Sequence, residues 1–156
     1  MARFSLLGKD ELIAAIDAWG RDCADLRGPL TGLMLDVVTP MLKARFAAEG
    51  PGWAPLSESY AAWKHVAYPG APILVRTGAM RGAFAGGVGS EFTVTTDRLS
   101  INPSRYPYWK YHQTGTDRMP ARPILQFDGT QRQQMQDYVS KKLQGLATQR
   151  GFRVTP

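Results

Sequence analysis

An apolar stripe with a proline inside it sets the tightest constraint on how this chain can fold. Leu30, Leu33, Met34, Val37, Val38, Met41, Leu42 and Phe46 recur at helical spacing through residues 30–46, the pattern of a helix half-sunk in a core. Pro40 lies within the run. It has no N–H to donate and its ring crowds the carbonyl four residues back, so the helix is expected to lose a backbone bond there and to bend. The stripe reads as core rather than as a cofactor box.

The flanking segments extend the pattern. Residues 9–26 read as an amphipathic helix with Leu12, Ile13, Ile16, Trp19 and Cys23 on one stripe and Asp10 and Glu11 in the first turn, where carboxylates suit the positive end of the helix dipole. Arg27-Gly28-Pro29 punctuates the chain, and Pro29 is placed to start the next helix, so the two helices are expected to form a hairpin. After the turn-rich Glu49-Gly50-Pro51-Gly52-Trp53-Ala54-Pro55-Leu56, in which Trp53 reads as a core plug, Ser57 is expected to cap a short helix through Lys64. Thr77 is expected to cap another through Met80 and Phe84.

The period then changes. Gly86, Gly87 and Gly89 mark a turn or bulge, and Phe92–Thr96 with Leu99–Ile101 reads as a hairpin around Asp97-Arg98. Residues 106–113 fit either a strand or a short helix. Residues 122–127 fit a further strand or the entry to a last helix over 130–146. The fold class expected is α+β, with an N-terminal helical hairpin and a C-terminal helix packed on a small antiparallel sheet. A chain of 156 residues suits one domain; the expectation is a single domain over 1–146 and a flexible tail over 147–156.

Composition narrows the function. With one cysteine, Cys23, an internal disulfide is impossible and Cys23 reads as a small buried apolar residue. No run reaches the ~18 apolar residues of a membrane span, and Met1–Gly8 holds too short an apolar core for a signal peptide. The expectation is a soluble protein made and used without secretion. The charge is uneven: residues 1–75 carry 7 Lys and Arg against 8 Asp and Glu, whereas residues 76–156 carry 12 against 5. Nine of those 12 are arginines, suited to fixed bidentate contacts. A basic half implies acidic partners, either a protein surface or nucleic-acid phosphates, or else a merely solvated face.

The chemistry-bearing patterns are missing. His65 and His112 are the only histidines, and the sequence has no CxxC or HExxH, so no metal is expected. It has no GxSxG, and Gly86-Gly87-Val88-Gly89 lacks the spacing and the lysine of a phosphate loop. The carboxylates of the second half, Glu91, Asp97, Asp117, Asp128 and Asp137, read as turn, cap or helix-surface residues rather than as a pair facing one cleft. The expectation is no enzyme and no cofactor. Tyr106, Tyr108, Trp109 and Tyr111 beside Arg105 and Lys110 could stack single-stranded bases, or pack as an aromatic face on the core.

Two linked phrases remain. One is Ile73-Leu74-Val75-Arg76-Thr77-Gly78-Ala79-Met80-Arg81; the other is Tyr106–Gly115 closed by Met119-Pro120-Ala121-Arg122-Pro123-Ile124-Leu125. Preceded by Arg45-Phe46, Gly52-Trp53-Ala54-Pro55-Leu56-Ser57 and Lys64, they form an ordered set over residues 30–145 that resembles the tailed-phage virion morphogenesis family, the tail completion or head–tail joining proteins typified by the G protein of Mu-like phages. The run Tyr106–Tyr111 stands where that family usually has a shorter Tyr-Ala segment, and the tail after Ala147 lies outside the resemblance.

The resemblance implies a structural, non-enzymatic virion subunit of the neck or tail top, assembled in the host cytoplasm, with no membrane association. Its partners would be copies of itself in a ring, a hexamer being favoured, together with the tail terminator or tail tube and head-side connector or stopper proteins. The alternatives are a tail terminator or other minor neck component, and a basic module contacting packaged DNA. On this reading Tyr108, Trp109, His112, Gln113, Gly115, Arg118 and Arg122 are the candidate subunit or partner interface. Arg76, Arg81 and Arg105 are candidates for a DNA lumen or an acidic neighbour. Gly115 would permit a left-handed turn, and Pro120 and Pro123 stiffen the loop around Arg122, which lowers the entropy lost on docking. Arg122 is open to two roles, a bridge to a neighbour or a clamp on its own fold.

Overall fold

The computed structural model describes residues 8–50, 52–86 and 91–152. Gly87, Gly89, Pro51 and residues 153–156 of the expected tail lie outside them. Among the described residues seven α-helices and a two-stranded antiparallel sheet make an α+β architecture. The helices are α1 (Lys9–Ala24), α2 (Arg27–Leu33), α3 (Thr39–Ala47), α4 (Glu58–Ala67), α5 (Ala79–Phe84), α6 (Trp109–Thr114) and α7 (Gly129–Gln149).

The proline in the stripe is accommodated by a π-turn over Met34–Val38, which joins α2 to α3. Thr39 N–H donates five residues back to Met34 O, so one turn widens just before Pro40, which sits in the first turn of α3 where its missing N–H costs little. The wider turn keeps every fourth residue on one face. Met34, Val38, Leu42 and Phe46 are all nearly inaccessible and form the spine of the core, with Leu33, Trp53, Val75, Met80, Phe84 and Ile124 around it. Pro29 falls in the first turn of α2 rather than at its first residue.

Strands β1 (Phe92–Val94) and β2 (Leu99–Ile101) pair with Phe92 opposite Ile101 and Val94 opposite Leu99. The turn is closed by Thr95 N–H on Arg98 O, close to the expected Asp97-Arg98. The hairpin packs on α2, and α7 packs on α1, α2 and the π-turn, so both share the core built around residues 27–47. Helix α7 begins with a capping box, Asp128 accepting from Gln131 N and Gln131 Oε1 accepting from Asp128 N. It runs three residues beyond the expected end at Leu146. Ala147 is buried, Arg150 pairs with Asp22 and Phe152 lies against Trp19, so the folded region continues past 146.

Within residues 106–113 the ambiguity resolves as helix only from Trp109, where α6 begins, and residues 106–108 form the turn that leads into it. Residues 122–127 form neither a strand nor a helix. Instead Pro123-Ile124-Leu125 is an irregular segment in the core whose backbone groups are taken up by distant side chains. Trp53 Nε1 donates to Pro123 O at 2.9 Å and Arg45 Nη1 to Ile124 O at 2.8 Å. Gln113 Oε1 accepts from Ile124 N and Leu125 N at 2.9 and 3.0 Å, while its Nε2 donates to Leu125 O at 3.1 Å. Pro123 has no N–H, so every backbone donor and acceptor of the segment is satisfied.

Gln113→Ala strands three of these backbone groups away from water. Denaturant unfolding is expected to show a loss of about 2–4 kcal/mol. Thr114→Ala, which removes an exposed hydroxyl bonded to Lys110 O, should stay within about 0.5 kcal/mol.

Candidate functional site

The two phrases converge on one concavity. A groove of about 1060 Å³ is walled by Ala54–Ser57 and the first turns of α4, by residues 74–80 at the entry to α5, by α6, and by the turn Arg118-Met119-Pro120 with Arg122 behind it. That is the upper end of the roughly 300–1,000 Å³ range of small-molecule sites. Its apolar lining comes from Leu56, Tyr60, Leu74, Met80, Tyr108 and Met119. Lys64, Arg76, Arg118, Arg122 and His112 supply the titratable groups, and among the described residues no carboxylate lines it.

Each wall has a local cause. Residues 54 and 55 are held by Arg122, whose Nε donates to Ala54 O and Nη2 to Pro55 O, both at 2.7 Å. Arg122 N–H in turn donates to His112 O at 2.6 Å, locking the loop to α6. At the base, Lys64 is buried and donates to Pro72 O at 2.6 Å; burial lowers its pKa, partly offset by the Glu49 carboxylate. Leu74 adopts φ 59, a left-handed backbone that costs a branched residue about 1–2 kcal/mol. A strained residue in a groove wall is of the kind that clusters at working surfaces. Gly78, not Thr77, is the N-cap of α5, although Thr77 Oγ1 accepts from Ala79 N at 3.4 Å. Ser57 occupies the N-cap of α4 without a side-chain bond.

The candidate residues separate into two groups. Tyr108, His112, Arg118 and Arg76 line the groove. Tyr108 is 46% exposed and meets His112 edge-on at 6.2 Å. Arg118 is exposed in the tight turn closed by Thr116 and Met119, and Arg76 lies over the Tyr68 ring. The others bond or pack within the fold, although Arg122 also lines the groove. Trp109 packs edge-on against Phe84 at 5.6 Å, Gln113 staples residues 124 and 125, and Arg122 takes the clamp role on its own chain. Gly115 has φ 76, and a Cβ there would meet Ala121 N at 2.8 Å.

Neither Arg81 nor Arg105 lines the groove; both are exposed, with Arg105 3.7 Å from Glu91. Tyr60, Lys64 and Met119 were not anticipated as groove residues. Tyr60 and Lys64 stand four apart on α4, a spacing that marks a shared face but not what that face meets.

Among the described residues no three His, Cys, Asp or Glu side chains cluster closely enough to hold a metal ion, and no helix is long and apolar enough to cross a membrane. The groove is apolar and cationic, with walls held by the Arg122 and Lys64 hydrogen bonds.

Burial, with the Arg122 guanidinium beside it, holds the pKa of His112 below its ordinary 6.5. The unfolded chain therefore takes up this proton first as pH falls. The contribution to stability is fully present above about pH 6.5 and is lost progressively below it, towards the folded-state value. Thermal unfolding across pH 7 to 5 should show that decline, and His112→Gln should flatten it. Gly115→Ala is expected to cost about 1–3 kcal/mol in denaturant midpoint analysis, since both its φ and its contacts exclude a Cβ.

Comparison with known proteins adds one match. The sequence model of the phage virion morphogenesis family matches residues 10–144, which include every wall of the groove. No curated protein and no solved structure matches the chain.

Proposed function

Since the chain belongs to the phage virion morphogenesis family, a family of virion assembly, we propose that it is a structural subunit of the neck or tail top that completes the tail and joins it to the head, in the manner of the G protein of Mu-like phages. The observation that carries this reading is the convergence of the motif-bearing segments on one groove with cationic and apolar walls, a surface built to hold another protein segment. Tyr108, His112, Arg118 and Arg76 are its contact residues. Copies of the chain form a ring, with six-fold order favoured by kinship. The neighbours above and below are head-side connector or stopper proteins and the tail terminator or tube.

The outward Arg81 and Arg105, outside the groove, suit weaker contacts with packaged DNA or an acidic neighbour. A tail terminator or other minor neck component differs only in the layer occupied, and electron cryo-microscopy of the neck distinguishes the two.

Phage deleted for this chain are expected to accumulate filled heads and separate tails, with joining restored by supplying the chain in trans. Normal yields of joined particles from the deletion would overturn the proposal. Imaging of wild-type particles is expected to place a ring of this chain at the head–tail junction.

A further inference from the structure

The groove does not end at its rim. Tyr60 lines it, and Trp63 packs against Tyr60 with ring centroids 5.3 Å apart. Tyr68 meets Trp63 edge-on at 5.8 Å, and the Arg76 guanidinium lies 5.9 Å over the Tyr68 ring, which returns the ladder to the groove. Tyr60 and Trp63 are 43 and 48% exposed, and Val66, beside Trp63 on α4, is 81% exposed. Apolar surface therefore continues from the floor over the α4 wall into solvent. Trp, Tyr and Arg are the residue types that dominate the energy of protein–protein contacts.

The charges of the groove are of two kinds. Lys64 and Arg122 are buried and donate to the carbonyls of Pro72, Ala54 and Pro55. Arg76 and Arg118 are exposed on separate walls and form no ion pair with a described residue. Among the described residues no carboxylate lines the groove, so its complement is an anion. The floor decides which kind. Leu56, Leu74, Met80 and Met119 offer nothing to a sugar–phosphate backbone, which is held by wet, strongly cationic surfaces. A second copy of this chain carries a net charge of +6, which opposes its docking on a cationic face. A different protein can bring carboxylates and large apolar side chains together, and methionines such as Met80 and Met119 adapt to apolar groups of varied shape.

We propose that the groove and its aromatic rim bind an acidic segment of a different protein, in which carboxylates flank large apolar side chains. The apolar side chains enter the floor between Leu74, Met80 and Met119. The carboxylates pair with Arg76 and Arg118, whose guanidinium forks suit bidentate contacts. Tyr60 and Trp63 cover the segment where it leaves the groove. This rests on the neck reading above and names the chemistry of the neighbour that the groove holds.

The probe is a library of random dodecapeptides selected for binding to the full-length chain. Enriched peptides are expected to carry Asp or Glu on both sides of Leu, Ile, Phe or Trp, and their binding should weaken as salt rises. Three variants locate the site, with circular dichroism confirming that each is folded; all six substituted positions are exposed. Arg76→Glu/Arg118→Glu should bind the enriched peptides more than about tenfold less tightly. Tyr60→Ser/Trp63→Ser, which leaves the charge unchanged, should lose a similar factor. Lys43→Glu/Lys141→Glu, with the same charge change outside the groove lining, should bind as the wild type does. Selection repeated on Arg76→Glu/Arg118→Glu should enrich Lys and Arg in place of Asp and Glu.

No enrichment, enrichment of neutral or basic peptides, or binding that survives both groove variants would each overturn the proposal. Two further results overturn it by naming another occupant. An oligothymidylate that binds more tightly than every selected peptide, and is lost in Arg76→Glu/Arg118→Glu, gives the groove to nucleic acid. A wild-type oligomer that dissociates in that variant, seen by sedimentation, gives it to a second copy. In all these cases the virion role stands, because it fails separately, by the deletion phenotype.

Discussion

The structure depends on the burial of a piece of chain with no regular hydrogen bonding. Pro123-Ile124-Leu125 runs through the core, with Ile124 fully inaccessible, yet it belongs to no strand or helix. Such a segment can leave water only if each N–H and C=O finds a partner. Arg45 from α3, Trp53 from the loop after it and Gln113 from α6 provide them. These three side chains tie three distant stretches to one line. The adjoining Arg122 then pulls in residues 54 and 55 and fastens to α6, so the walls of the groove are set by the same segment that closes the core.

The π-turn plays the corresponding part within the long helix. A proline in a core helix ordinarily forces a kink, because the carbonyl four residues back has nowhere to go. Widening one turn ahead of Pro40 relieves the clash and re-phases the helix, so that apolar residues spaced by four stay aligned from Met34 to Phe46. Arg45 lies on the same side and enters the core as a buried cation, its charge disfavoured by desolvation and supported by Asp128. It also stacks over the Phe127 ring at 5.5 Å. A buried guanidinium without a close carboxylate is tolerated here because Ile124 O and Gln131 Oε1 accept its protons and an aromatic face covers it.

Legibility in the sequence followed the range of each interaction. The helices over residues 9–24, 58–67 and 129–149 and the hairpin at 92–101 announce themselves through local period and turn chemistry. The segments that carry the groove were also recognisable, since the quoted phrases provide most of its walls, Tyr60 and Arg118 excepted. The roles of individual residues within them were not. Gln113 and Tyr108 sit in one aromatic-polar run, yet one bonds the core and the other faces the groove. A glutamine or an arginine has the same composition signature in either place, because what decides is whether an orphaned carbonyl lies within reach.

By itself, then, the sequence determined the α+β class, the terminal helices and the hairpin, the central apolar stripe and membership of a virion assembly family. These are encoded in periodicities and motifs that need only neighbours along the chain. Tertiary structure alone decided that residues 123–125 are buried without being a strand, that Arg122 clamps its own fold, and that four separated segments close into one cationic groove. It also decided that α1 keeps its apolar face in solvent. Each of these depends on which polar and apolar groups meet across 60 or more residues of chain, as Arg122 does with Ala54, and that pairing is written in the packed geometry rather than in any local pattern.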